Sequence, residues 1–323
     1  MRSETLNAKI ALVFPGQGCQ FVGMGKALYT SYEPARELYD RADEILGFPL
    51  SRLCFEGSVE RLNDTANTQP AIYTTSMALW EVLAPRLGHV RDRIAYTAGH
   101  SLGEFTALTA AGALRFEDGL RLVRERGQAM HDAGEEASGG MAAIIGLEDE
   151  EVASIVADAN EDGQGVWIAN YNSPGQVVIA GKKEALERAV SLARERDAKR
   201  AIPLKVSVAC HTPLMEAAAD RLGAALEETT FRRPTIPVVS NARAVPLSDP
   251  QEIKEALLRQ LSHPVRWVES VQTMVDEGVE AVLEVGPRAV VSGLIRRIHR
   301  PLELYKVTDA DSLEALDMET KQL

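Results

Sequence analysis

The sequence predicts an α/β protein: a mainly parallel sheet covered by helices on both faces, with a smaller unit inserted into it. Three observations lead there. Over roughly the first 130 residues, short apolar runs alternate with amphipathic stretches. Within that region, Gly99-His100-Ser101-Leu102-Gly103 lies between a strand-like run, Ile94 to Ala98, and a helix-like run, Glu104 to Gly112. From about Gly140 to Val208 the order of elements becomes βαββαβ.

Taken in order, Ile10–Phe14 is a short apolar run that reads as the first buried strand. A helix is expected from about Met24 and a long one around Pro70–Leu87. The serine pentapeptide follows. Its strand-turn-helix context is a nucleophile elbow, which pushes a hydroxyl out at the top of a sheet and is the mark of a hydrolase-like core. In the inserted unit, Met141–Gly146 reads as a strand and Asp149–Ala159 as a helix. Val166–Tyr171 and Gln176–Ala180 are two strands joined by the turn Asn172-Ser173-Pro174-Gly175. Lys183–Arg196 is a helix and Arg200–Val206 a strand, completing a ferredoxin-like unit. The Gly134–Gly140 stretch, rich in Gly, Glu and Ser, marks its entrance. Domain bounds are therefore 135–206 for the insertion, and 1–134 with 207–323 for the larger body. Pro237–Ser240 and Ala281–Val285 are further core strands, and helices are expected at Glu252–Leu261, Val265–Glu277 and Val290–His299.

Bulk properties exclude several classes. The chain has 323 residues, 45% hydrophobic and 25% charged, as a globular protein would. No apolar run approaches a membrane span, and Ile10–Phe14 is too short for a secretory signal core. A net charge of −12 disfavours nucleic-acid binding. Three widely spaced cysteines, at 19, 54 and 210, fit neither a disulfide framework nor a zinc site. The reducing cytoplasm is the expected compartment.

Two further residues carry chemistry. His211 ends the strand-like Lys205–Ala209, with Thr212 as a helix cap and Pro213 as first helical residue before Leu214–Leu226. Like Ser101, it stands at a strand-to-helix junction, where catalytic groups collect in parallel sheets. A histidine satisfied by backbone bonds would look the same. His100 should point away from the serine, and His89, His131, His263 and His299 carry no comparable signal. Arg126 lies in the helix Glu117–His131, on the flank of its apolar face with Leu122 and Met130 as row neighbours. A buried arginine needs a counter-charge, and no local carboxylate faces it. It is either a snorkelling or structurally paired arginine, or it grips a substrate carboxylate bidentately. Phe14-Pro15-Gly16-Gln17-Gly18-Cys19-Gln20 has neither P-loop nor Rossmann spacing. A Gly turn at a strand end can instead offer a backbone N–H to an oxyanion.

With these residues stand Thr68-Gln69-Pro70-Ala71, Arg126-Gly127, Asn172–Gly181, Val206–His211 and Glu284–Pro287. In this order they resemble the malonyl-CoA:acyl-carrier-protein transacylases of bacterial type II fatty-acid synthesis, over almost the whole chain. The resemblance implies Ser101 as nucleophile and His211 as its base, in a dyad whose imidazole is oriented by the main-chain carbonyl of Gln260. It implies Arg126 on the malonyl carboxylate, and the backbone N–H groups of Gln17 and Leu102 as the oxyanion hole. Malonyl-CoA is then a substrate, acyl carrier protein the acceptor and partner, and no cofactor or metal is needed because the thioester carries its own activation. A monomer is expected, with neither nucleic acid nor membrane as partner. Cys19 stands where many members have serine, and Cys210 where the family varies. Carrier proteins of this family are acidic, so docking on an acidic chain requires a local basic patch. Arg288, Arg296, Arg297 and Arg300 form the densest one, with Arg296 and Arg297 the docking candidates and a solvated helix end the alternative.

Two enzyme classes compete. A serine esterase or thioesterase shares the elbow, but orders its triad Ser…Asp/Glu…His with a late histidine. Here more than a hundred residues follow His211. A trans-acting polyketide-synthase acyltransferase would share the motifs and differ in its carrier. A silent binding module is disfavoured by the presence of Ser101, His211 and Arg126 together.

Overall fold

The computed structural model describes residues 8–136, 139–160, 165–204, 206 and 208–320. It is a mixed α/β fold built on two sheets. The first strand, β1 (Lys9–Phe14), is followed by α1 (Lys26–Ser31), α2 (Glu33–Leu46), α3 (Leu50–Glu56), α4 (Val59–Asn63) and the long α5 (Thr65–Leu83). Strand β2 (Ile94–Gly99), α6 (Gly103–Ala110) and α7 (Phe116–Glu136) come next. The middle of the chain supplies β3 (Gly139–Ile145), α8 (Asp149–Ala159), β4 (Val166–Ser173), β5 (Gln176–Lys182), α9 (Lys183–Glu195) and β6 (Arg200–Pro203). The remainder is α10 (Glu216–Glu228), β7 (Val238–Val239), β8 (Pro246–Leu247), α11 (Pro250–Gln260), β9 (Val265–Arg266), α12 (Trp267–Asp276), β10 (Val279–Val285), α13 (Val291–Ile298), β11 (Glu303–Val307) and α14 (Ala310–Thr320).

The larger sheet has the order β11-β10-β1-β2-β7-β8. Its pairs are parallel except β7 with β8. β1 lies inside it and is buried on both faces, as a central parallel strand must be. Ile10, Leu12 and Phe14 face one core, while Ala11 and Val13 face another that includes Trp267. The smaller sheet runs β6-β3-β5-β4-β9. Its first four strands are antiparallel and carry α8 and α9 on one face. The fifth, β9, enters from outside 135–206 and pairs parallel with β4 through Asn170 and Tyr171.

Several expected boundaries move, each for a physical reason. The long helix starts five residues before Pro70, at an Asp64 cap whose carboxylate accepts from the Ala66 amide at 3.0 Å. Strand β6 stops at Pro203, and Val208 and Ala209 are not in a strand. The chain turns there, because His211 has φ of 62°, a left-handed conformation that cannot continue an extended run. Lys205 and Ser207, where that strand was expected, lie outside the described residues. Thr212 does not cap with its side chain; its hydroxyl donates to Ala209 O at 2.7 Å. Pro213 opens a short 3-10 turn ahead of α10. Val265–Arg266, expected as helix, is β9 instead. α7 extends to Glu136, into the expected entrance of the insertion, of which residues 137 and 138 lie outside the described residues.

Candidate active site

The site forms where β1 and β2 end. These strands run in parallel with Phe14 opposite Gly99, and the His100 amide donates to Phe14 O at 3.0 Å. Ser101 then takes φ of 52°, a strained value for a residue with a Cβ. The turn is tight enough that a Cβ at Gly99 would strike the Gly103 carbonyl, and one at Gly103 the Phe14 carbonyl. Only glycine fits at either place. Asn241 braces the turn. Its Oδ1 accepts from the Ser101 amide at 2.6 Å and its Nδ2 donates to Gly99 O at 2.7 Å. Leu102 is buried and directly precedes α6; Gln17 is exposed in the loop after β1. The amides of Gln17 and Leu102 meet no backbone acceptor among the described residues.

Ser101 Oγ lies 2.9 Å from His211 Nε2. On the far side of the ring, Nδ1 lies 2.7 Å from Gln260 O. A carbonyl can only accept, so Nδ1 carries the proton and Nε2 is left as an acceptor for the serine hydroxyl. Burial, then the nearby charge of Arg126, push the imidazole down to about 3, although the Gln260 carbonyl works the other way. His211 is therefore neutral across the physiological range.

Arg126 is fully buried. Its Nη2 donates to Ser101 Oγ at 3.1 Å and to Gln260 Oε1 at 2.9 Å; Nη1 donates to Gln69 Oε1 at 2.8 Å. All three acceptors are neutral, and Nε has no partner among the described residues. The guanidinium also stands 5.7 Å from the centre of the Phe105 ring. Burial lowers its proton affinity to about 10, still well above physiological pH. Cys210, beside the histidine, is pushed up to about 11 by burial and stays a thiol.

The expected residues are thus partly gathered and partly not. Ser101, His211, Arg126 and Gln260 form one hydrogen-bonded cluster. His100 is engaged elsewhere: its Nε2 lies 2.8 Å from Asn172 Oδ1 and its ring meets Trp267 edge-on. Arg296 and Arg297 are exposed on α13, bonded to Arg300 O at 2.7 Å and to Gln176 Oε1 at 2.6 Å. Arg288 lies over the Phe21 ring, 4.6 Å from its centre. An open cleft of about 490 Å³ reaches His211, and Trp167, Ile168, Ser262 and His263 are among its lining residues.

Four polar groups were not anticipated: Glu104, Asn241, Gln69 and the side chain of Gln260. Gln260 Nε2 donates to Glu104 Oε2 at 2.7 Å and to Ser101 O at 3.0 Å; the Asn241 amide donates to the same Glu104 oxygen at 3.1 Å. Burial pushes Glu104 up to about 7, while Gln260, Asn241 and Arg126 pull it down. One signal was available. Glu104 is the only charged residue in α6, whose other residues are Gly, Ala, Thr, Leu and Phe. Among the described residues no group of three or more His, Cys, Asp or Glu could hold a metal ion, and no helix is long and apolar enough to cross a membrane.

The chain is similar to known proteins over almost all of its length. The family described as the acyl transferase domain matches residues 11–319. The malonyl CoA-acyl carrier protein transacylase of Bacillus subtilis (strain 168) is 45% identical over 307 residues, 95% of this chain and 96% of the relative. Among solved structures, the acyl carrier protein S-malonyltransferase of Vibrio cholerae O1 biovar eltor superposes with a TM-score of 0.90 at 48% identity, covering 96% of this chain and all of that one. The transacylase chain in a structure of a type II PKS acyl-carrier protein in complex with its malonyl-transacylase superposes with a TM-score of 0.92 at 41% identity, covering 97% of this chain and 100% of that one.

Proposed function

We propose that Ser101, His211 and Arg126 divide between them the chemistry of this chain, which belongs to the acyl transferase domain family and is a malonyl-CoA:acyl-carrier-protein transacylase. The enzyme moves a malonyl group from malonyl-CoA to acyl carrier protein. In our reading, His211 Nε2 takes the Ser101 proton as Oγ attacks the thioester carbonyl. The oxyanion is held by the amides of Gln17 and Leu102. The Ser101 amide is already committed to Asn241, so the hole needs donors from neighbouring residues. CoA leaves as its thiol, taking a proton from His211, and a malonyl-serine ester remains. The phosphopantetheine thiol of the carrier then gives its proton to His211, attacks the ester and regenerates Ser101, a ping-pong course. The Gln260 carbonyl keeps the imidazole in the tautomer this requires. No cofactor enters these steps.

One observation carries the assignment of malonyl as the acyl group. Arg126 is buried against the nucleophile with only neutral acceptors and an Nε–H that has no partner among the described residues. A carboxylate beside Ser101 would supply the missing charge. Arg126→Ala is expected to weaken malonyl transfer by about 2–5 kcal/mol, the cost of deleting one partner of a desolvated charge pair. Acetyl transfer should lose much less. Steady-state kcat/KM with the two thioesters checks this, and equal losses would make Arg126 structural.

The finer architecture follows the same reading. We take the body containing β2 and α6 as hydrolase-like on the strength of its elbow. We take 135–206 as an inserted ferredoxin-like unit, supported by the order β6-β3-β5-β4 of its antiparallel strands. The larger body is 1–134 with 207–323, and it lends β9 to the smaller sheet. We place the enzyme in the cytoplasm, where free Cys19, Cys54 and Cys210 would stay reduced.

A further inference from the structure

We propose that Glu104 is a positioning residue: by fixing which end of the Gln260 amide faces Arg126, it aims the guanidinium at Ser101 without neutralising it. This rests on the reading of Arg126 as the carboxylate-binding group. Glu104 makes no hydrogen bond to Ser101 Oγ or to the His211 ring among the described residues, so it acts only through others. It is 2% exposed, and its Oε2 accepts from the Asn241 amide and from Gln260 Nε2.

The amide of Gln260 has two hydrogens, one for Glu104 Oε2 and one for Ser101 O. With both used, the end left for Arg126 is the oxygen, Oε1, at 2.9 Å from Nη2. Turned over, the amide would put its NH₂ against a guanidinium and its oxygen against Glu104 Oε2, which already serves as an acceptor for the Asn241 amide. Two attractive contacts would become repulsive ones in a buried site. Gln69 repeats the arrangement on the other side. Its Nε2 is taken by Thr65 Oγ1 at 3.2 Å and Met130 Sδ at 3.1 Å, leaving Oε1 for Nη1. A carboxylate bonded directly to Arg126 would hold the cation as an ion pair, and an incoming malonyl group would have to displace it. An interposed amide supplies the orientation and leaves the pairing to substrate.

The test measures kcat and KM with malonyl-CoA and acetyl-CoA for Glu104→Ala, Glu104→Gln, Gln260→Ala and the double alanine variant. Arg126→Ala serves as the reference. Glu104→Ala is expected to lower the malonyl-to-acetyl ratio of kcat/KM by about tenfold or more, chiefly through the KM for malonyl-CoA. Glu104→Gln keeps a carbonyl acceptor for both donors and should restore the ratio to within about threefold. The double variant should be no less selective than Gln260→Ala alone, because Glu104 acts through that side chain. Equal losses for both thioesters in Glu104→Ala, or a double variant whose loss is the product of the singles, would overturn the proposal. If Glu104→Ala does not fold, Glu104→Met against Glu104→Gln makes the same comparison. Should Arg126→Ala discriminate between thioesters while the Glu104 variants do not, the Glu104 proposal alone falls. Should Arg126→Ala fail to discriminate, both fall.

Discussion

His211, the base we propose, has its protonation governed by what surrounds it. Desolvation and Arg126 hold the ring neutral, and the Gln260 carbonyl selects the Nδ1–H tautomer. In ¹⁵N-labelled free enzyme, the imidazole signals lost in His211→Ala are expected to keep that neutral pattern down to about pH 5. A ring that titrates near 6.5 would contradict this environment. The same shift has a stability consequence of definite sign. Below about 6.5 the unfolded chain binds a proton at this histidine, whereas the folded chain does not until about 3. The contribution is therefore full above 6.5 and is lost as pH falls toward 3. The unfolding free energy of wild type relative to His211→Ala should shift in the variant's favour across that window, as measured by urea denaturation. Movement in the opposite direction would show that the folded state binds the proton first.

At the scale of elements, the elbow and α13 make separate demands. Gly103→Ala places a Cβ against the Phe14 carbonyl, which is fixed by the β1–β2 ladder. Overpacking of this kind costs about 1–3 kcal/mol, so a lower Tm with weakened acylation is expected. An unchanged Tm would mean the turn is looser than its geometry. α13 begins on Glu284, whose carboxylate accepts from the Val291 and Ser292 amides at 2.9 and 2.7 Å, and it ends with Arg296 and Arg297 exposed. If this end meets the carrier, Arg296→Glu with Arg297→Glu raises the KM for carrier protein. Malonyl-enzyme formation from malonyl-CoA stays intact. Unchanged carrier kinetics would move docking elsewhere. Legibility also differed by element. α8 was read to the residue, because its apolar positions repeat at helical spacing and its acidic first turn marks the start. The apolar run before His211 looked like a strand, since periodicity does not register a positive φ at its end. β9 was missed because two residues carry no period at all, and the bonds that define it come from β4, far away in sequence.

For the molecule as a whole, the sign of its charge shapes the encounter. A chain of net charge −12 gives an acidic carrier no overall attraction, so docking at the basic end of α13, as we propose, would have to act locally. Such attraction is screened beyond about 8–10 Å near physiological ionic strength. The carrier-dependent step is expected to slow with added salt while acylation from CoA does not; equal salt effects on both would remove the electrostatic argument. The residues that the fold gathers into the candidate site were legible in part: Ser101, His211 and Arg126 stood out in the sequence, and their supports did not. Ser101 announces itself by glycines two residues either side, and Arg126 by a cation on an apolar flank. Asn241, Gln69 and the side chain of Gln260 carry no such mark. They matter only because the fold brings residues 69, 104, 126, 211, 241 and 260 into one buried network, and no local pattern encodes that meeting. The account depends most on a malonyl ester at Ser101. Intact-mass measurement of the enzyme after malonyl-CoA should show a single malonyl adduct that is absent in Ser101→Ala and discharged by acyl carrier protein faster than by water. An adduct that persists in Ser101→Ala, or transfer to carrier with no acyl-enzyme at all, would contradict it.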